Sequence, residues 1–423
     1  MRSTKITIEE PSLVAGSAFV PGRVEVLGKH TDYSGGSSLT CATAFGLQAR
    51  FAARADGRLI LHDSSSGQDH ETRFPPEAEL APGDWTRYPW TVAQRLARDF
   101  HRSFRGATIT WSTDLPQAAG LASSSALLTM LFLAIRETER LGERERYRQA
   151  IQGDISLAAY LAAVESGRAF AGFEAADGVG TRGGAGDHTA ILCSQAGHLH
   201  LYSYDPHRLV RAVAMPASCV FVIGVSGVVA RKTGNAGARY GRATRLAAGA
   251  AEAWRQATGG DQEHLGAMLR SAGAPEIRRV LMEVDAGEFT GEELARRFDQ
   301  FAIEESEVLP AAVDALATGD LVAFGRAVDR SQGAAEDLLG NQVPQTSFLQ
   351  RQARELGAHA ASAFGAGFGG AVWALVEEER ADAFLQGWSA SYRSRYPENA
   401  QASRFLTTHA GDPARTEHQE ANN

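Results

Sequence analysis

The chain has 423 residues, which is long for one hydrophobic core and suits two domains or one bilobed unit. Hydrophobic residues make up 44% and charged residues 22%, the composition of an ordinary globular protein. Its 42 basic and 50 acidic residues give a net charge of -8, which argues against nucleic acid or an anionic membrane as a partner. Any bound polyanion must therefore be held by helix ends, a metal and a few local basic side chains.

The cysteines and the N-terminus predict a cytoplasmic protein. Cys41, Cys193 and Cys219 are an odd number without a zinc-binding spacing, so a reducing compartment is the simplest. Residues Met1–Pro11 are polar and lack the apolar centre of a secretion signal, and no apolar run reaches the length of a membrane span. We expect no membrane partner, and either a monomer or a homodimer.

Strand and helix patterns are mixed along the chain. In chain order they predict a strand at Arg23–Leu27, a strand at Ala107–Trp111, a buried helix at Ser125–Glu137, a helix at Asp154–Ser166 capped by Asp154, a hairpin of Thr189–Ser194 with His198–Tyr204, a strand covered on both faces at Cys219–Val225, helices at Ala236–Gln256 and Val308–Val328, and a strand at Ala371–Val376. Because strands and helices do not alternate regularly, the pattern favours an α+β fold. We expect an N-terminal lobe at 1–210, a C-terminal lobe at 211–410 and a polar, disordered tail at 411–423.

A small-residue loop precedes the first predicted helix. Leu115–Ala126 reads LPQAAGLASSSA, so the loop lets backbone N–H groups approach an anion where the helix begins. A serine hydroxyl there is suited to Mg²⁺, but no lysine follows the glycine, so this is not a P-loop. The alternative is an ordinary helix start with serine caps.

Polar side chains surround the first predicted strand and its end. Pro21–Tyr33 reads PGRVEVLGKHTDY and carries Arg23, Lys29, His30 and Asp32. An aspartate acceptor beside a histidine suits the paired hydroxyls of a sugar. Without further evidence, a solvated turn explains the segment better than a binding site does.

A glycine-rich loop precedes the last predicted strand. Ala363–Ala371 reads AFGAGFGGA, and such a loop either approaches a ligand closely or makes a tight hairpin.

Taken together and in chain order, the three segments resemble the GHMP kinase superfamily and, within it, the galactokinases. Pro21–Tyr33 resembles the signature Gly-Arg-x-Asn-x-x-Gly-Glu-His-x-Asp-Tyr, Leu115–Ala126 the phosphate loop Pro-x-Gly-x-Gly-Leu-x-Ser-Ser, and Ala363–Ala371 the C-terminal loop Gly-x-Gly-Phe-Gly-Gly. The resemblance spans roughly residues 17 to 376. It implies a two-lobed α+β fold, with a ribosomal-protein-S5-like N-terminal lobe and a ferredoxin-like C-terminal lobe.

The resemblance implies an enzyme that uses ATP and Mg²⁺ to phosphorylate the anomeric (C1) hydroxyl of a monosaccharide, galactose or a related sugar. Asp187, in the segment GAGDH, matches the residue that takes the hydroxyl proton. Arg23 matches the arginine that stabilises the transferred phosphoryl group. The alternative is a sensor that binds sugar and ATP without turnover, as some relatives do, and the presence of Arg23, Ser124 and Asp187 favours the enzyme.

The same resemblance assigns the remaining site residues. The residues implied in ATP binding are Pro116, Gly120, Leu121, Ala122, Ser123, Ser124 and Ser125. Ser124 and Glu165 match the Mg²⁺ ligands, although Glu165 is also explained as a solvated helical side chain. The sequence distance from Glu165 to Asp187 is longer than in galactokinases, and an inserted stretch at Gly167–Asp177 explains the difference.

His30, Asp32 and Tyr240 match the residues that bind the sugar hydroxyls. For Tyr240 the alternative is a tyrosine packed on its own amphipathic helix.

The chain departs from the family pattern at several positions. Lys29 replaces the signature glutamate that touches the C6 hydroxyl, so either the ammonium binds a uronic acid such as galacturonate or it turns to solvent. Glu25 replaces the signature asparagine. Ala118 and Ala119 stand where glycines are common, which is tolerable unless those positions need positive φ.

Overall fold

The structure is a computed structural model that describes residues 14–74, 85–100, 104–116, 119–181, 183–228, 234–284 and 287–418, without the side chains of 234–240. The strands are β1 Ala15–Leu27, β2 Ser37–Ala53, β3 Arg58–Asp63, β4 Gln68–Arg73, β5 Gly106–Thr113, β6 His198–Tyr204, β7 His207–Ala214, β8 Cys219–Val225, β9 Ala360–Phe364, β10 Ala371–Glu377, β11 Arg404–Thr408, β12 Ala410–Gly411 and β13 Arg415–His418. The helices are α1 Arg87–Phe100, α2 Ser123–Thr138, α3 Glu145–Ala150, α4 Asp154–Ser166, α5 Gly186–Cys193, α6 Gly234–Thr258, α7 Leu265–Ser271, α8 Ala274–Met282, α9 Gly291–Ile303, α10 Leu309–Thr318, α11 Leu321–Ala334, α12 Pro344–Glu355 and α13 Ala381–Arg395. None of these described helices has both the length and the apolar character needed to cross a bilayer.

The first lobe is built on a nine-stranded sheet. Its main path runs β13-β1-β2-β5-β3-β4, and β6, β7 and β12 extend it from β2. The long strands β1 and β2 pair antiparallel, and their register shifts after Glu25. The buried helices α2 and α4 join the core of this lobe. This sheet places β1, which carries the first half of the segment Pro21–Tyr33, against the start of α2.

The second lobe is built on a four-stranded antiparallel sheet in the order β11-β8-β10-β9. Taken in chain order the four strands follow the 4-1-3-2 arrangement of a ferredoxin-like fold, with helices after the first and third strands. Both faces of β8 are covered: Val220 and Val222 pack with Trp388, whereas Phe221 packs edge-on to Trp373 in the other core. The prediction of a strand buried on both faces is confirmed.

Three sequence predictions of secondary structure are wrong. Thr189–Ser194 is not a strand, because those residues fall within or just after α5, and the hairpin forms between β6 and β7. Val308–Val328 is not one helix, since Gly319 ends α10 with a φ of 74°. The N-cap of α4 is Gly153, which makes Asp154 the first helical residue.

The C-terminal segment is also ordered where a disordered tail was predicted. Arg415–His418 forms β13, which pairs antiparallel with β1, and Gly411 pairs with Ala42 of β2. Residues 419–423 lie outside the described part of the chain. The predicted lobe boundary at 210/211 falls inside β7, and strands β12 and β13 return the chain to the first sheet.

Candidate active site

The guanidinium of Arg23 anchors one wall of the site. Its side chain is 4% exposed, and its Nη2 lies 2.6 Å from Oδ1 of Asp187. Asp187 is the second residue of α5, where the helix N-terminus also favours negative charge. Burial alone would lower the pKa of Arg23, but the surrounding carboxylates, Asp187 foremost, outweigh burial and hold the pKa above its ordinary value. The two predicted catalytic residues are therefore in contact as an ion pair.

The predicted phosphate loop contacts β1 directly. The backbone N–H of Arg23 donates to the Leu121 carbonyl at 3.1 Å, and its Nη1 donates to the Gly120 carbonyl. Gly120 and Ala122 have φ values of 79° and 59°, and α2 begins at Ser123 immediately after this turn. The N-cap is Ala122 and supplies no side-chain acceptor, so the serine-capped alternative is wrong. The first N–H groups of α2 are left available to an anion.

The structure describes only one of the two alanines that replace glycine in the phosphate loop. Ala119 is buried and does not have positive φ, so alanine is tolerated there. Ala118 lies outside the described residues.

Ser125 is the serine that points into the site. Its Oγ lies 2.9 Å from Oε2 of Glu165 and 3.3 Å from Oδ2 of Asp187. Ser125 is buried, whereas Ser123 and Ser124 are partly exposed. Successive helical residues point about 100° apart, so only one of the three serines faces the carboxylates. The hydroxyl beside Glu165 is thus that of Ser125, whereas the family resemblance assigns the Mg²⁺ contact to Ser124.

Glu165 belongs to a buried hydrogen-bonded cluster. Its Oε2 accepts from Nε2 of His188 at 2.8 Å, and Nδ1 of that ring lies 3.1 Å from the Thr129 hydroxyl. Glu165 is buried, so the alternative of a solvated helical glutamate is wrong. His188 was not singled out from the sequence, and its position directly after Asp187 was the one signal available.

The inserted stretch Gly167–Asp177 adds no distance between the two carboxylates. The Ala176 N–H donates to the Gly167 carbonyl at 3.0 Å, and the Val179 N–H donates to the Glu165 carbonyl at 2.9 Å. The stretch therefore closes on itself and returns the chain to the end of α4.

His30 and Asp32 form the opposite end of the site, just after β1. Oδ2 of Asp32 accepts from the Gly186 N–H at 3.1 Å, and Oδ1 accepts from the Tyr33 N–H at 2.9 Å. Nδ1 of His30 lies 2.7 Å from the Tyr33 hydroxyl. Tyr33 therefore positions both predicted sugar-binding side chains, although the sequence marked it only as part of the signature.

The glycine-rich loop of the second lobe closes the site. It joins β9 to β10, and its Ala366 carbonyl lies 3.1 Å from Nε2 of His30. A Cβ at Gly365, where φ is 74°, would lie 3.1 Å from the Gly120 carbonyl oxygen. The two predicted glycine loops thus approach each other through their backbones. The segment is both a hairpin loop and part of the site.

These segments together line one recess in the structure. A Cβ at Gly184 would lie 2.4 Å from Oδ2 of Asp32, so glycine is required for this wall to close. The lining residues are Arg23, Glu25, His30, Asp32, Tyr33, Ser125, Ala162, Glu165, Ser166, Gly183, Gly184, Asp187, Gly365 and Ala366.

Lys29 does not line this recess; it lies in a buried polar cluster. Its ammonium donates to Oγ of Ser331 at 2.8 Å and to Oγ of Ser362 at 2.7 Å. Ser331 also donates to Glu304, whose Oε2 accepts from the Gly28 N–H at 3.2 Å. Burial lowers the pKa of Lys29, and Glu304 opposes that effect. Lys29 is 1% exposed, so the alternative in which it turns to solvent is wrong.

Tyr240 falls within the backbone of α6, but its side chain lies outside the described residues.

Glu25 lines the recess two residues along β1 from Arg23. Its Oε1 is buried and has no hydrogen-bond partner among the described residues. Burial raises the pKa of Glu25 to about 8, against the attraction of Arg23, so the carboxyl carries its proton at neutral pH. The sequence marked this residue only as a departure from the signature.

Three protein-family models match the chain in the order of its three motifs. The galactokinase galactose-binding signature matches residues 9–54, the GHMP kinases N terminal domain matches residues 87–164, and the GHMP kinases C terminal model matches residues 312–394.

Curated relatives match the chain over most of its length. A galactokinase of Streptomyces coelicolor is 28% identical over 368 residues, which cover 86% of this chain and 85% of the relative. A galactokinase of Chloroflexus aggregans is 27% identical over 398 residues, which cover 89% and 88%. Among solved structures, Lactococcus lactis galactokinase complexed with galactose superimposes with a TM-score of 0.78 at 19% identity and covers 95% of both chains. At that identity the likeness shows the fold.

Proposed function

This chain belongs to the GHMP kinase superfamily, and from that premise we propose that it transfers the γ-phosphoryl group of ATP to the anomeric hydroxyl of galactose or a closely related neutral sugar. One observation carries the proposal. Ser125, at the start of α2, lies within hydrogen-bond distance of both Glu165 and Asp187, while Arg23 is paired with Asp187 at 2.6 Å. The helix N-terminus that suits phosphates and the carboxylate that suits the sugar proton are therefore adjacent.

The chemistry needs few covalent contributions from the protein. An oxygen of Asp187 takes the proton of the anomeric hydroxyl as that hydroxyl forms its bond to the γ-phosphorus, and the bond to the departing ADP oxygen breaks. Arg23 stabilises the charge that develops on the transferred phosphoryl group. His30, Asp32 and Tyr240 are proposed to hold the sugar hydroxyls, so that positioning supplies much of the rate.

The residues present fit ATP and Mg²⁺. The first N–H groups of α2 suit the phosphates, and Pro116 and Gly120–Ser125 are proposed to bind them. Ser125 and Glu165 offer hard oxygen ligands on adjacent helices, the kind that Mg²⁺ prefers. When bound there, the metal would neutralise charge on the phosphate oxygens.

Two alternatives are not favoured. A uronic acid needs a cation near its carboxylate, but Lys29 lies outside the recess and Arg23, which lines it, is already paired with Asp187. The carboxyl groups of Asp32 and Glu165 also line the recess. A sensor without turnover does not need the assembled pair of Arg23 and Asp187, and the curated relatives described above carry the name galactokinase.

A coupled assay of ADP release across hexoses, pentoses and uronic acids tests the proposal. We expect turnover with galactose and much less with galacturonate. Asp187→Asn should lower kcat by about a hundredfold or more and leave sugar binding largely intact, because the amide cannot accept the proton. Asp314→Asn, at a side chain that is 74% exposed, is the matched control and should behave like the wild type. Binding of sugar and ATP without turnover in the wild type would instead identify a sensor.

Compartment and assembly stay predictions from the sequence. We propose a cytoplasmic protein that is a monomer or a homodimer, and light scattering on the purified chain distinguishes the two assemblies.

A further inference from the structure

We propose that Glu25 is a specificity-determining residue whose carboxyl group hydrogen-bonds a hydroxyl of the acceptor sugar. The inference rests on the proposed function, because it concerns the sugar end of the same recess. It assigns a role to a position where this chain carries glutamate and the family signature carries asparagine.

The position of Glu25 in the sheet directs it to the recess. Side chains two residues apart on a strand share a face, so Glu25 lies on the same side of β1 as Arg23. Both residues line the recess, together with Asp32 and Asp187. A substrate that reaches Asp187 therefore lies beside Glu25 as well.

The polar atoms around Glu25 are incompletely satisfied. Oε1 of Glu25 is buried without a hydrogen-bond partner among the described residues. Thr40 lies directly opposite on β2, and its Oγ1 is also buried with no partner in the part of the chain that the structure describes. Buried polar groups are normally paired, and an unpaired one costs free energy. A donor or acceptor supplied by a ligand would satisfy the carboxyl group.

The protonation state of Glu25 suits a neutral hydroxyl. Because burial raises its pKa to about 8, the carboxyl both donates and accepts at neutral pH, as the amide of asparagine does. Glutamate is longer than asparagine by one methylene group, so its hydrogen-bond donor and acceptor reach further into the recess. A sugar carboxylate in the same place would meet Asp32, Asp187 and Glu165, which line the recess, so a neutral hydroxyl is favoured.

Kinetics and calorimetry of Glu25 variants test the proposal. We expect Glu25→Ala to raise the KM and Kd for galactose by roughly ten- to a hundredfold, with kcat and the KM for ATP changed by less than about threefold. Glu25→Gln should recover most of the lost affinity, whereas the shorter Glu25→Asn should recover less. Glu305→Gln is the control, because that half-buried carboxyl contacts Ser37 and does not line the recess.

A series of deoxygalactoses identifies the hydroxyl. The analogue that lacks the contacted hydroxyl should bind the wild type weakly and lose nothing further in Glu25→Ala. The proposal is overturned if Glu25→Ala leaves the sugar Kd within about twofold, or if every analogue is weakened equally by the substitution. Since Kd is measured without turnover, a wild type that binds galactose but does not phosphorylate it refutes the proposed function and still decides the role of Glu25. A wild type that binds no sugar overturns both.

Discussion

Replacing Lys29 by methionine tests whether this lysine belongs to the protein interior or to the sugar site. The ammonium makes two hydrogen bonds, at 2.8 and 2.7 Å to Ser331 and Ser362, and is the cation beside Glu304. Lys29→Met keeps most of the side-chain volume, but it removes both hydrogen bonds and leaves the carboxyl group of Glu304 buried without the nearby ammonium. Hydrogen bonds made by a charged group are worth roughly 1.5–3 kcal/mol each, so loss of both should cost about 3–6 kcal/mol in the free energy of unfolding. Lys29→Glu should cost more, since it places a second carboxylate beside Glu304.

Urea unfolding measures the loss, and kinetics below the unfolding temperature measure the ratio of kcat/KM for galactose and galacturonate. We expect that ratio to stay within about twofold in Lys29→Met, because the side chain does not line the recess. Arg330→Met is the control: it removes one positive charge from an exposed pair with Glu307, which is worth at most about 1 kcal/mol. If Lys29→Met matched this control in stability and shifted the sugar ratio, the ammonium would be a sugar ligand and the reasoning would be refuted.

Three further predictions concern the recess. Ser125→Ala should weaken the apparent Mg²⁺ affinity by about ten- to a hundredfold in a magnesium titration of activity, whereas Ser124→Ala should change it by no more than a few fold. Gly184→Ala should raise the KM for sugar about tenfold or more and leave the KM for ATP unchanged, because its Cβ would displace Asp32; equal effects on both substrates would contradict this. The pKa of Glu25 is ordinarily 4.5 but about 8 in the folded chain, so the folded state holds the extra proton and the contribution of Glu25 to stability falls as pH rises between those values. Unfolding at pH 5 and pH 8 should therefore show Glu25→Gln gaining stability over the wild type at the higher pH, by at most a few kcal/mol, and an equal difference at both values would contradict the shifted pKa.

Local pattern was enough to predict several parts of the molecule. The apolar run at Cys219–Val225 predicts a strand covered on both faces, because no alternation of polar residues leaves a face for water. The small residues before Ser123 predict a helix start open to an anion. The order of the three motifs then indicated the family, and Arg23 and Asp187, matched through that resemblance, are paired in the structure.

Tertiary structure decided which side each of these residues faces. Three successive serines are equivalent in sequence, and the packing of α2 alone turns Ser125, and not Ser124, toward Glu165. The polar C-terminal segment has the composition of a tail, yet Arg415–His418 completes the edge of the first sheet because β1 offers unpaired backbone groups there.

Strand β1 and the residues after it show most clearly that tertiary structure decides the direction of a side chain. The sequence shows which polar residues follow one another there, but not where each one points. The register of β1 shifts after Glu25 and the chain turns at Gly28, where φ is 90°. Glu25 therefore lines the recess, whereas Lys29 is directed to Ser331 and Ser362 of the second lobe. Those partners lie about 300 residues further along the chain, so no local pattern around Lys29 contains them.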